Sequence, residues 1–119
     1  MKRKIAFAAF IFAFFATSSV AAAPKVEHYI FKYESDRAFD VKLTDNTITW
    51  QSLSGPDKGQ TETDFINRKK LSKNIEIVQW AENDGTFVTV ILDRAQLNVI
   101  SSGKFSTGTW LWSGKAIAV

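Results

Sequence analysis

Beyond residue 26 the chain alternates apolar and polar residues with a period of two, and turn residues interrupt the alternation at short intervals. EHYIFKY sets Tyr29, Phe31 and Tyr33 on one face. RAFDVKL sets Phe39, Val41 and Leu43 against Asp40 and Lys42, and NTITWQS puts Ile48 beside Trp50. Successive side chains of a strand point to opposite faces of its sheet, so this period marks half-buried strands. Asp45-Asn46 and Asn83-Asp84-Gly85 suit hairpin turns, and SGPDKG, opening at Ser54 and closing at Gly59, is the strongest loop signal. A weaker strand, QTETDFI, precedes NRKK, which reads as a solvated loop or strand edge. IEIVQWAE, TFVTVILD, QLNVIS and KFSTGTWLW follow as strands, with turns expected at Arg94-Ala95, Ser102-Gly103 and Ser113-Gly114 before a final KAIAV. No window carries the periodicity of an amphipathic helix; TDFINRKKLSK allows one helical turn at most.

Eight or nine short strands joined mostly by tight turns form a meander, and an open meander exposes two edges. Closure removes both. The expected fold is therefore all-β: a small closed antiparallel up-and-down barrel of about eight strands, whose interior either fills with side chains or holds one small ligand. The five-stranded oligonucleotide-binding barrel is the structural alternative, but it normally carries a helix that is missing from the pattern.

The N-terminus excludes several functions. MKRKIAFAAFIFAFFATSSVAAAP has a basic start, an apolar run and small residues at Ser19-Val20-Ala21, the layout of a cleaved signal peptide. The expected organisation is a signal over residues 1–21, cleaved near 21–23, then a single barrel domain over 22–119 in the periplasm or secreted, with no membrane anchor after cleavage. Three of the fifteen Lys and Arg residues fall in the signal and all twelve acids lie beyond it, so the mature chain is electrically balanced. Nucleic-acid binding needs a basic surplus, which this chain lacks. There is no cysteine, so the core alone must hold the domain together.

In IEIVQWAE, Val78, Trp80 and Glu82 share one face while Ile77, Gln79 and Ala81 share the other. Both faces carry apolar residues, so parity leaves the choice open. Trp50 sits on the apolar face of its own strand, and orienting Trp80 the same way turns Glu82 inward near the barrel mouth. An inward carboxylate is costly unless paired, which makes it a candidate functional group; the alternative is a turn residue bending into water.

FKYESDRAFDVKLTDNTITWQSLSG, then GQ, then IEIVQWAENDGTFVTVILD resemble the phenolic acid decarboxylase and MoaF-like group of small lipocalin-type (calycin) barrels, from about residue 31 to 100. The resemblance implies a ligand site inside the barrel, with Glu82 facing it. The decarboxylases of the group seat a substrate carboxylate on two tyrosines and use an arginine and a glutamate. The tyrosine pair falls on Phe31 and Tyr33, a further inward tyrosine on Phe39, the arginine on Gln60 and the glutamate on Glu82. Phe31 lacks the hydroxyl and Gln60 the charge, so the resemblance implies the MoaF-like branch without decarboxylase activity.

Other chemistry finds little support. His28 is the only histidine, with no cysteine to share a zinc ion, and its parity is opposite to Tyr29 and Phe31. No cofactor is expected. Two readings from different classes follow. In the first, Phe31, Tyr33, Phe39, Trp50, Val78 and Trp80 line a pocket for a small apolar or aromatic molecule, with Tyr33, Gln60 and Glu82 as orienting polar contacts. In the second, the chain is a protein-interaction module, such as an inhibitor of a cell-envelope enzyme, using loop 54–59 or a surface at Trp110 and Trp112. A catalytic Glu82 would need its pKa raised by burial. A cavity of a few hundred Å³ enclosed by the barrel beside Glu82 favours the first reading, and an interior solidly filled by side chains the second.

Overall fold

The structure, a computed structural model, describes residues 25–119; the expected signal peptide and its cleavage site lie outside the described residues. Nine strands follow one another: β1 (Glu27–Tyr33), β2 (Ala38–Leu43), β3 (Thr47–Ser52), β4 (Thr61–Phe65), β5 (Asn67–Lys70), β6 (Ile75–Ala81), β7 (Phe87–Asp93), β8 (Asn98–Phe105) and β9 (Gly108–Ala118). They form one antiparallel sheet in the order β4-β3-β2-β1-β9-β8-β7-β6-β5. β9 returns beside β1, with Tyr29 opposite Ala118 and Tyr33 opposite Gly114, so the last strand closes on the first.

The ladder is interrupted between β4 and β5. These two strands are separated by Ile66 alone, and they are the halves of one leg: β4 pairs with β3, then β5 pairs with β6. The result is a nearly closed barrel. Across the interruption the Asn83 backbone N–H donates to the Glu62 carboxylate at 2.9 Å, tying β4 to the β6–β7 turn.

Alternation places the core as expected. Phe31, Val41, Ile48, Val78, Val90, Leu92 and Val99 are buried, while their neighbours in sequence face out. Burying each such side chain contributes roughly 1.5–3 kcal/mol before chain entropy is set against it. Turn chemistry fixes the register. Glu82 N–H donates to Thr86 O at 2.8 Å, and Gly85, at φ 90°, takes the left-handed conformation that this tight hairpin requires.

Two expected turns are absent. β8 runs straight through Ser102-Gly103, and β9 straight through Ser113-Gly114; the reversal between them falls at Ser106-Thr107. The glycines serve close approach instead. A Cβ on Gly103 would meet the Trp110 ring and the Phe87 carbonyl, and one on Gly114 would meet the Lys32 backbone. The stretch 63–73 makes no helical turn, and Gln96-Leu97 belongs to the β7–β8 turn, with Leu97 at φ 55°.

NRKK forms β5, the strand edge that the sequence allowed, with Asn67, Lys69 and Lys70 exposed, but Arg68 turns away from solvent. Its guanidinium grips Glu76 through Nε at 2.7 Å and Nη2 at 2.8 Å. Arg94 Nη2 lies 2.9 Å from the same carboxylate, and Arg94 also holds Glu27 at 2.8 and 2.9 Å. The two arginines hold Glu76 well below the usual carboxylate range, at about 2, against the opposing effect of burial. Glu76 shares the inward face of β6 with Val78 and Trp80, so this ion-pair network plugs one end of the barrel. Glu82 stands about 20 Å away, at the other end, by the rise of an extended chain.

Candidate functional site

At the Glu82 end the inward faces of seven strands converge, with Val88 and Val90 of β7 among the lining residues. β1 contributes Phe31 and Tyr33, β2 Phe39, β3 Trp50, β6 Trp80, β8 Ser101, and β9 Trp110 and Trp112. Aromatic rings meet in a chain: Tyr33 to Phe39 at 6.2 Å, Phe39 to Trp50 at 6.3 Å, Tyr33 to Trp112 at 5.5 Å, Trp112 to Trp110 at 5.5 Å. Such tilted and edge-on contacts suit the ring quadrupoles. They leave a lumen of about 60 Å³, on whose wall Glu82 is the one charged side chain.

The lumen opens into a wider mouth of about 410 Å³ lined by Arg37, Gln60, Glu82, Asp84, Phe105 and Trp112 among others. The space beside Glu82 is thus divided unequally. Side chains nearly fill the interior, and the larger space lies at the entrance, open to solvent.

Glu82 follows β6 by one residue and still faces in, because its N–H remains paired across the hairpin. Its Oε2 accepts a hydrogen bond from the Trp80 indole at 3.2 Å. Burial pushes its carboxyl up to about 7; the indole bond opposes this, and the charges of Glu62, Asp84 and Asp64 add to it. Glu62 is itself raised, by desolvation and by its neighbour Asp64. Asp64 accepts the Trp50 indole N–H at 3.2 Å, so two tryptophans, on the strands either side of the β4–β5 leg, each hold a carboxylate. On the opposite wall the Tyr33 phenol is pushed up by burial and stays protonated, with Ser101 beside it.

The structure brings Phe31, Tyr33, Phe39, Trp50, Trp80 and Glu82 together around the lumen. Gln60 lies on the mouth, beyond the lumen, and Val78 is buried below it without lining the space. Trp110 and Trp112, weighed in the sequence as core or as an outer patch, turn their rings into the site, while Leu111 between them is 75% exposed. Arg37 was missed. Its Nη2 donates to Asp57 at 2.7 and 3.0 Å, fastening loop 54–59 to the rim, and its guanidinium lies 5.0 Å from the Phe39 centroid and 5.8 Å from that of Trp112. Parity carried the signal, since Arg37 precedes the inward Phe39 by two residues. Among the described residues no cluster of His, Cys, Asp and Glu fits a metal ion, and no helix is long and apolar enough to cross a membrane.

Fold and lumen together define a small antiparallel barrel with an aromatic interior, plugged by ion pairs at one end and open at the other. Residues 26–114 match the model of the MoaF-like family, and the chain belongs to that family. A crystal structure of a Burkholderia vietnamiensis protein, described provisionally as a beta-lactamase, is similar with a TM-score of 0.74 and 17% identity, over 78% of this chain and 92% of that one. At this identity the likeness speaks for the fold alone. No curated protein matches the sequence.

Proposed function

We propose that the protein is an exported, non-catalytic MoaF-like barrel that binds a small apolar or aromatic molecule at its open end. The observation that carries this reading is the shared wall between lumen and mouth: Phe39, Trp50, Glu82, Trp110 and Trp112 line both. A lumen of about 60 Å³ suits the tip of a ligand, and a mouth of about 410 Å³ suits its body. Aromatic walls supply affinity with little loss of side-chain freedom, because rings packed against one another are already ordered. Glu82, Gln60 and Tyr33 give orientation. The signal-like residues 1–21 support export to the periplasm or beyond.

Catalysis is less well supported. Glu82 has the ionisation of a general base near neutrality, but the lumen wall pairs it with no cation, and the hydroxyls it offers are those of Tyr33 and Ser101. Against the decarboxylases that the sequence resembles, Phe31 lacks a hydroxyl that would hold the substrate carboxylate, and Gln60 lacks the cation.

Intrinsic fluorescence tests the binding reading, because all four tryptophans line the lumen. Titration with a panel of neutral, anionic and cationic small aromatics should give a saturable change for at least one member. Trp112→Ala should weaken that binding about tenfold or more, the loss expected of an aromatic anchor. Silence across the whole panel overturns the reading.

A further inference from the structure

We infer that the molecule received at the mouth is an organic cation, an amine or quaternary ammonium on an aromatic or alkyl body, with its nitrogen seated against Glu82. This rests on the binding reading above and names the ligand class for the same site.

Three observations converge on it. First, the charge lining the lumen is Glu82 alone, and its Oε1 has no hydrogen-bond partner among the described residues. An anionic ligand would meet this carboxylate, with Glu62, Asp64 and Asp84 behind it. The rim cation, Arg37, is already neutralised by Asp57. A positive ligand is therefore the electrostatic complement of the site. Second, the surrounding wall is made of ring faces, which attract cations through their quadrupoles. Third, these rings already hold a cation. The Arg37 guanidinium lies within cation–π range of both Phe39 and Trp112, and its Nε is buried without a hydrogen-bond partner. That position shows the physical preference of the wall. The same walls that hold a tethered guanidinium can hold a free ammonium a short distance inward, where the uncompensated carboxylate stands.

The groups facing Glu82 define the pH response. They are the Trp80 indole on its own strand, Glu62 and Asp64 on β4, Asp84 in the turn, and the Arg37–Asp57 pair on the rim. A cation screens the acids from one another, so it binds best when Glu82 is ionised.

The test compares benzyltrimethylammonium and phenethylamine with 2-phenylethanol and 3-phenylpropionate, by tryptophan fluorescence and calorimetry on the mature chain. The two cations should bind about tenfold or more tighter than the alcohol and the acid, as one desolvated cation–π contact added to an ion pair allows. In Glu82→Gln the preference of the cations over 2-phenylethanol should shrink to about threefold or less. Benzyltrimethylammonium, whose charge is fixed, should bind more tightly at pH 8.5 than at pH 5.5, and this dependence should vanish in Glu82→Gln. Tightest binding of the alcohol or the acid overturns the cation assignment and leaves the binding reading standing, as does a preference untouched by Glu82→Gln. Absence of binding by all four probes overturns both.

Discussion

Trp80 and Glu82 lie two residues apart on the inward face of one hairpin, joined by an indole-to-carboxylate hydrogen bond of 3.2 Å. That bond keeps a carboxylate inside an aromatic mouth, where burial raises its pKa to about 7. A buried acid with a raised pKa favours the folded state in its protonated form, so the native protein carries an extra proton between the unfolded value of 4.5 and about 7. Stability from this group is therefore greatest below pH 4.5 and declines as pH rises through 7. Glu82→Gln should stabilise the protein by on the order of 1 kcal/mol at pH 8, with solvent screening allowed for, and by almost nothing at pH 4. Urea denaturation at the two pH values checks both the sign and the difference.

The opposite end of the barrel responds to pH in the other direction. Glu76, held at about 2 by Arg68 and Arg94, contributes stability that is complete above its unfolded value of 4.5 and is lost as pH falls from there toward 2. Glu27, lowered chiefly by its bond to Arg94, acts the same way. Glu76→Ala should cost about 2–4 kcal/mol at pH 7, because it leaves two half-buried arginines without their shared partner. The same substitution should cost far less at pH 2.5. Acid titration of wild type and variant by circular dichroism reads this difference.

Two glycines that resemble each other in sequence should behave differently. Gly103→Ala drives a methyl group into the Trp110 ring and the Phe87 carbonyl, for a cost of about 1–3 kcal/mol and a shifted tryptophan emission maximum. Gly108→Ala meets only Phe105, at 3.7 Å, and should change stability by less than about 0.5 kcal/mol. Thermal melts of the two variants make the comparison directly.

Trp50→Phe keeps a ring in the wall but removes the donor that satisfies buried Asp64, a loss of about 1–3 kcal/mol. Adding Asp64→Leu to that variant should cost less than Asp64→Leu costs in the wild type. A double-mutant cycle by urea denaturation gives the coupling.

Much of this architecture was legible in the alternation. The period of two placed Tyr33, Phe39, Trp50 and Trp80 on inward faces, and the parity of β6 carried Glu82 in with Trp80. Glycine misled where it marked close contact between neighbouring strands rather than reversal: at Gly103 and Gly114, inside strands, a tryptophan ring and a neighbouring backbone leave no room for a Cβ. The plug was invisible for a different reason. Arg68 and Glu76 meet across the β5–β6 pair, but Glu27 lies 67 residues from Arg94, and each charge alone reads as solvated until the barrel brings the two arginines and two carboxylates together. Gln60 was placed by resemblance, and it falls on the rim, where its carbonyl accepts the Ser52 N–H as the loop rejoins the sheet.

The most direct test uses the four indole N–H resonances of a nitrogen-15-labelled protein, since Trp50, Trp80, Trp110 and Trp112 all line the lumen. Titration with a bound aromatic ligand should shift these four signals together, and the backbone amides of Glu82 and Phe39 with them, leaving Ile117 on the outer face of β9 unmoved. Shifts confined to the outer face around Leu111 and Ile117, or to loop 54–59, with the indoles unchanged, would contradict a ligand at the mouth and favour a surface that binds another protein.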